Sequence, residues 1–235
     1  KVWIMSDHIV SAYDDQLNLI NTNLIKLGGL VESQLKNAIK SLSDKDTSLA
    51  DQVVNDDNKI DDLEKEIHEL IYKVIAMRQP IAIDLRTVLS AVTIAKDLER
   101  MGDHATNIAK RAADLKIYMP DSPIAEIASM ASEVQLSITK VLDAYVAKSG
   151  ELALEVWDKD IVIDKSYVTI YKHLLRTMSK KPETIPGCSQ LLAIAKNIER
   201  IGDYVQNIAE DIHFIVKGEV LIREASNEDD WETLE

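Results

Sequence analysis

The sequence predicts an all-α fold built as two tandem antiparallel three-helix bundles related by an internal duplication. Three observations carry this. Glycine and proline number only seven and five in 235 residues, and so few turn formers imply few, long elements. Those present cut the chain into stretches of roughly 25–35 residues, a length that suits helices. Finally, LERMGDHATNIAKR at 98–111 returns as IERIGDYVQNIAED at 198–211.

The elements follow in order. Residues Lys1 to Ile4 precede Met5 and are set aside, and the N-terminus shows no signal-peptide core. A first helix is expected near 8–42 and a second near 46–78. In the second, Ile60, Leu63, Ile67, Leu70, Ile71 and Val74 recur at helical spacing. Pro80 closes it, and a third helix runs near 82–117. Pro120 and Pro123 separate this from a fourth near 123–147, and Gly150 opens a fifth near 150–180. Pro182, Pro186 and Gly187 precede a sixth near 187–216, which Gly218 ends. Six long helices with short connections form antiparallel bundles.

The duplication is visible in whole helices. Ile94, Ala95, Lys96, Glu99, Arg100, Gly102, Asp103, Asn107, Ile108 and Ala109 all have an identical residue 100 positions later. The helix before repeats more loosely, with DNKID at 57–61 facing DIVID at 160–164. Each copy is therefore three helices, spanning 8–117 and 123–216, followed by an acidic tail at 219–235. A period this long is a duplicated domain, not a short-repeat solenoid.

Composition narrows the function. A chain 46% apolar and 29% charged is an ordinary soluble globular protein, long enough to bury a core as one domain or two small ones. Its net charge of −13 opposes nucleic-acid binding, which depends on lysine and arginine displacing counterions. Cys188 is the single cysteine, which excludes an internal disulfide and a thiolate metal cage. The cytoplasm is the expected compartment, since no apolar run approaches the roughly 18–20 residues of a membrane helix.

The chemistry lies in the carboxylates. Projected at about 100° per residue, Glu99, Asp103 and Asn107 fall in one i, i+4, i+8 stripe. Leu98, Met101, Ala105 and Ile108 fall opposite, so the acidic stripe is expected on a face free for solvent. On the second helix Asp57 and Asp61 form an i, i+4 pair that Glu64 and His68 continue. The second copy has Asp160 and Asp164, but Tyr167 and Tyr171 replace the continuation.

Like charges at i, i+4 repel by a few tenths of a kcal/mol, and Gly102 and Gly202 each cost about 1 kcal/mol relative to alanine in a helix. Both costs are kept in both copies. Glycine there permits close approach of a neighbouring helix, which would bring the Asp-x-x-x-Asp pair alongside the Glu-x-x-x-Asp pair. Such an oxygen-rich site suits magnesium, manganese, calcium or ferric iron, with zinc admissible. A merely solvated acidic face remains the alternative at this point.

Smaller features carry weaker expectations. Arg100 and Arg200 are expected in interhelical ion pairs, a phosphate contact being the alternative. His8, His104, His173 and His213 read as surface or boundary residues, of which His104 adjoins a ligand candidate. Cys188 follows a Pro-Gly turn at a helix start, a position that can lower a thiol pKa, yet a lone cysteine is more often incidental.

The two motif copies, with LGGLVESQL at 27–35, QPIAIDLR at 79–86 and TIPGC at 184–188, resemble the PhoU family of phosphate-signalling regulators from about residue 10 to Gly218. The resemblance implies two three-helix bundles related by a pseudo-two-fold. It implies a non-enzymatic, cytoplasmic negative regulator of phosphate uptake and of the phosphate-starvation response. The implied partners are a sensor histidine kinase and the ATPase subunit of a Pst-type phosphate ABC transporter, reached peripherally at the membrane, with no nucleic acid. A homodimer or higher homo-oligomer is expected.

The family's metal pattern carries over to Asp57, Asp61, Glu99 and Asp103 in one copy and to Asp160, Asp164, Glu199 and Asp203 in the other. Some members hold iron or zinc clusters there and others magnesium or manganese, so the metal's identity does not transfer. Asn107 and Asn207 also match. Tyr204 replaces His104, and the Glu64/His68 extension has no counterpart in copy two, so the sites are expected to differ. The competing readings are a structural or metal-storage bundle and a ferritin-like di-iron oxidase. The oxidase wants two Glu-x-x-His motifs, and the chain has only Glu210 to His213.

Overall fold

The computed structural model describes residues 2–115 and 121–221, with side chains at 13–115 and 122–221. Among them are α1 (Val2–Asp44), α2 (Thr47–Arg78), α3 (Ala82–Ala113), α4 (Asp121–Ala147), α5 (Gly150–Lys180) and α6 (Ile185–Lys217), with a 3₁₀ turn at Pro182–Thr184 and no strand. The all-α expectation stands. Its boundaries need correction at several ends: α1 starts before residue 8, α3 stops short of 117, and α6 takes Pro186 and Gly187 into its first turn. Pro123 likewise lies inside the first turn of α4. A first-turn proline loses no intrahelical hydrogen bond, so it does not delimit a helix. Pro120, the side chain of His8 and residues 222–235 of the acidic tail lie outside the described residues.

Local chemistry ends these helices sharply. The Asp46 carboxylate accepts from the Leu49 N–H at 3.0 Å, and the Ser149 hydroxyl accepts from the Leu152 N–H at 3.2 Å. Both are side-chain N-caps, worth about 1 kcal/mol each. Gly218, at φ 77°, terminates α6 by donating its N–H to the Phe214 carbonyl at 2.8 Å.

Within each repeat the three helices pack on one another, and the repeats join through α3 against α6 and α1 against α4. Helices α2 and α5 lie outermost, each touching its own repeat's long helices and none of the other's. The two bundles therefore share one core. Leu27, Val31 and Leu35 of α1 and Leu98, Met101 and Ala105 of α3 belong to one buried mass that continues through Val134 and Ile138 of α4 to Ile198, Ile201 and Val205 of α6. The predicted apolar seam of the third helix is thus wholly interior. At Gly28 an added Cβ would lie 2.5 Å from Leu142 Cδ2, so the glycine lets α4 approach α1.

The α3–α6 seam carries polar groups at its edges. His104 Nδ1 donates to Asn197 Oδ1 at 2.7 Å, Arg111 donates to Gln190 Oε1 at 3.0 Å, and the Thr93 hydroxyl donates to Asp211. Asp97 lies in the same seam, where burial and then the Asp211 charge push its carboxyl up to about 7, against an opposing hydrogen bond from Asn207. A carboxyl whose pKa rises on folding contributes stability that is full below the unfolded pKa of about 4 and is lost as pH climbs through the folded value. Wild-type stability should therefore decline between about pH 4 and pH 7. The corresponding position of the second repeat is Asn197, so Asp97→Asn imitates a residue the fold already accommodates. Chemical denaturation across pH 4–8 should find this variant more stable than wild type at pH 8 and its decline shallower. An unchanged pH profile would refute the assignment.

Candidate metal centres

Each repeat presents the same construction. The second helix supplies an aspartate pair, Asp57 and Asp61 on α2 or Asp160 and Asp164 on α5. The third supplies Glu99 and Asp103 on α3 or Glu199 and Asp203 on α6. The third-helix glycine lets the pairs meet. An added Cβ on Gly102 would lie 2.9 Å from Ile60 Cδ1 and 3.8 Å from Asp57 Oδ1, and one on Gly202 would lie 3.3 Å from two Ile163 carbons and 3.6 Å from Asp160 Oδ1. The helix-propensity cost of glycine thus corresponds to close seating of α2 or α5 side chains against the third helix's backbone.

That contact corrects one sequence expectation. The acidic stripe is covered at one end only: the Glu99 and Glu199 side chains are 16% and 12% exposed, whereas Asp203 is 39% exposed and Asn107 faces solvent. The reason is that α2 and α5 cover the side of the third helix that a single-helix projection leaves uncommitted. Arg100 and Arg200 are corrected too. Arg100 Nε lies 3.8 Å from Glu99 Oε2 and Arg200 Nη1 lies 3.8 Å from Asp203 Oδ2. Both pairs are intrahelical and both arginines are half exposed, so they screen the site's rim without bridging helices.

The two sites differ in convergence. In the second repeat Asp160, Asp164 and Asp203 each offer a carboxylate oxygen within 4.8 Å of the others. Glu199 is turned aside: its Oε1 accepts from Lys196 Nζ, while its buried Oε2 has no hydrogen-bond partner. In the first repeat Glu99 Oε2 accepts from Lys96 Nζ at 2.9 Å. The carboxylates there nonetheless feel one another. Burial and then the Glu99 and Asp57 charges raise the Asp103 pKa, and burial and then Asp57 and Glu99 raise that of Asp61. Asp203 is pushed up to about 6 by burial and then by Glu199. Each shift records negative charge crowded into a low-dielectric cleft. Asn107 and Asn207 are exposed, and Asn207 hydrogen-bonds Asp97 in the α3–α6 seam, away from this construction.

Sequence reading missed one supporting residue. Gln34 of α1 is 5% exposed, and its Nε2 donates to Asp57 Oδ1 at 3.0 Å and to Thr106 Oγ1 at 2.6 Å. It pins the first aspartate from beneath and leaves the other oxygen for a ligand. Its signal is a glutamine set among Leu27, Val31, Leu35 and Ala38 on the buried stripe of α1. The second repeat has the shorter, buried Ser137 at the matching place and Gln206 where the first has Thr106.

The remaining polar candidates have other occupations. His173 pairs with Glu126 at 2.9 Å, and His68 lies 3.2 Å from Glu64. Glu210 accepts from the Trp157 indole N–H at 2.8 Å. Cys188 is buried in the first turn of α6, with its sulfur 3.7 Å from the Thr184 hydroxyl.

The donors fit a hard cation. They are carboxylate oxygens throughout, drawn from two rigid helices, with an orphaned buried Glu199 oxygen at hand and a charge excess that a cation would relieve.

Comparison with known proteins agrees with this architecture. The PhoU domain model matches twice, at residues 24–112 and 127–212, so each match falls on one repeat. The phosphate-specific transport system accessory protein PhoU homolog of Caulobacter vibrioides is 41% identical over 218 residues, covering 92% of this chain and 95% of that protein. Its counterpart in Rhizobium meliloti is 38% identical over 212 residues, with 90% of each covered. The crystal structure of PhoU from Pseudomonas aeruginosa superimposes with a TM-score of 0.82 at 34% identity, over 88% of this chain and all of that one. The phosphate transport system regulatory protein PhoU from Streptococcus pneumoniae does so with a TM-score of 0.84 at 29% identity, over 90% of this chain and all of that one. With both repeats matched and relatives of this similarity aligned along nearly its whole length, the chain belongs to the PhoU family.

Proposed function

We propose that this chain is a negative regulator of phosphate uptake and of the phosphate-starvation response. It acts as a cytoplasmic, metal-binding helical adaptor between the ATPase subunit of a phosphate ABC transporter and a sensor histidine kinase. The accessory role follows its relatives, which are named for the phosphate-specific transport system. The metal-binding part rests on the convergence of Asp160, Asp164 and Asp203 oxygens within 4.8 Å across the α5–α6 contact. Glu199, held beside that set by Lys196, would complete it, and Asp57, Asp61, Glu99 and Asp103 would form the other. A bound multivalent cation would supply positive charge to these carboxylates and tie each outer helix to its inner one.

This chain's own residues supply the rest. Gly102 and Gly202 set the helix separation, Gln34 orients Asp57, and the half-exposed Arg100 and Arg200 shield the rim. No helix among the described residues is long and apolar enough to cross a membrane, so membrane proximity would come through partners.

Deleting the gene should derepress a phosphate-starvation reporter in phosphate-rich medium, and recovery of the tagged protein from replete cells should bring down the transporter ATPase and the kinase. Unchanged reporter expression in the deletion strain would count against the regulatory reading. Wild-type protein purified without chelator and found free of metal would count against the cation reading.

A further inference from the structure

We propose that Lys96 and Lys196 are the resident cations of the two unloaded carboxylate sites, and that loading a multivalent metal releases each lysine from its glutamate to a second partner. That partner is Glu64 in the first repeat and Tyr167 in the second. The inference rests on the cation reading above and adds what the chain itself must do when a cation arrives.

The geometry is repeated while its surroundings have diverged. Lys96 Nζ lies 2.9 Å from Glu99 Oε2 and 4.0 Å from Glu64 Oε1. Lys196 Nζ binds Glu199 Oε1 and stands 5.3 Å from the centre of the Tyr167 ring. Glu64 follows Asp57, and Tyr167 follows Asp160, by the same seven positions, so both second partners occupy one place in the bundle. Each lysine is therefore held between the site's glutamate and one further group, a carboxylate in one copy and an aromatic face in the other.

Charge explains why a lysine stands there. Each unloaded site draws on four nearby carboxylates, three of which converge within 4.8 Å in the second repeat, and one ammonium offsets part of their repulsion. It also explains why Glu199 lies outside the converging set of Asp160, Asp164 and Asp203, since the ammonium draws it away. The lysine is the part free to move: the Lys96 and Lys196 side chains are 45% and 43% exposed, against 16% and 12% for the glutamates they hold. A long flexible stem can swing its head to water or to a neighbour, which leaves the glutamate carboxylate to turn back towards the site. A monovalent ion replacing the ammonium brings no added charge, whereas a divalent or trivalent ion does. The lysines thus bias both sites towards multivalent cations.

The test uses the full chain, metal-stripped, with Mn²⁺ as probe at pH 7. Lys96→Met and Lys196→Met, with Lys96→Gln and Lys196→Gln as second variants, should each bind Mn²⁺ roughly two- to fivefold more tightly at the altered site by titration calorimetry. Without metal they should melt below wild type, and saturating Mn²⁺ should erase that deficit. Lys96→Arg and Lys196→Arg keep the charge and should stay near wild type. Amine acetylation followed by mass spectrometry should show Lys196 labelled faster once Mn²⁺ is present, with a smaller rise at Lys96 because Glu64 receives it. Unchanged or weaker Mn²⁺ binding in the methionine and glutamine variants overturns the proposal, as does a melting deficit that persists at saturation. A wild type that binds Mn²⁺ normally beside such variants leaves the cation reading standing. A wild type that binds neither Mn²⁺ nor Fe³⁺ ends both.

Discussion

Alanine at Asp203 is expected to empty the second repeat's site while the first stays loaded, and alanine at Asp103 to do the converse. The double variant should lose nearly all bound metal, because the sites are built from separate pairs of helices. Asp203 has the firmest basis, since it is one of three aspartates whose oxygens converge within 4.8 Å. A ligand present at about 100 times its Kd stabilises the native state by about 2.7 kcal/mol, and that gain should vanish for the emptied site.

Without metal the sign changes. Asp203 is half-buried, with its pKa pushed up to about 6 by burial and then by Glu199, so removing the charge should be neutral or slightly stabilising. Metal analysis and thermal melts with and without added ions read both effects. Full metal content in Asp203→Ala and Asp103→Ala, or the same melting deficit in both conditions, would show these aspartates to be structural.

Valine at Gly102 should separate α2 from α3 and damage stability and the first site together. A Cβ there already falls 2.9 Å and 3.2 Å from the Cδ1 and Cγ2 of Ile60, a side chain 1% exposed. Isoleucine is stiff at χ1, and valine adds two further methyl groups. Overpacking of this kind costs about 1–3 kcal/mol, or roughly 3–10 °C in a chain of this size, and it moves Asp57 away from Glu99 and Asp103. Gly102→Ala should be milder, because alanine regains up to about 1 kcal/mol of helix propensity against the same contact. Gly202→Val should also be milder, since the Ile163 carbons stand at 3.3 Å. A Gly102→Val protein that melts with wild type and binds metal normally would show that the helix separation does not matter.

Much of this was legible before any coordinates. Scarce glycine and proline gave the long helices, and the recurrence of Ile94–Ala109 at 194–209 gave the duplication. Leu98, Met101, Ala105 and Ile108 identified the buried seam through periodicity alone, and all four are fully buried. The glycine inside each motif signalled helix contact because its helix-propensity cost is kept twice. Boundaries were less legible, since Pro123 and Pro186 sit within first turns, where proline costs little.

The sequence by itself determined the all-helical class and the three-plus-three duplication, since each depends on spacing along one chain, and it nominated the eight carboxylates as candidate ligands. Only the tertiary structure decided what covers those carboxylates. It set α2 and α5 over the acidic stripes, turned Arg100 and Arg200 to their own helices, and brought Gln34 beneath Asp57 from a helix more than twenty residues away. It also fused the two bundles through α3 and α6 and let three aspartates converge in one repeat while lysines held the glutamates in both. The reason is physical: a helical projection ranks residues around a single axis, whereas burial and charge pairing depend on which other axis lies alongside.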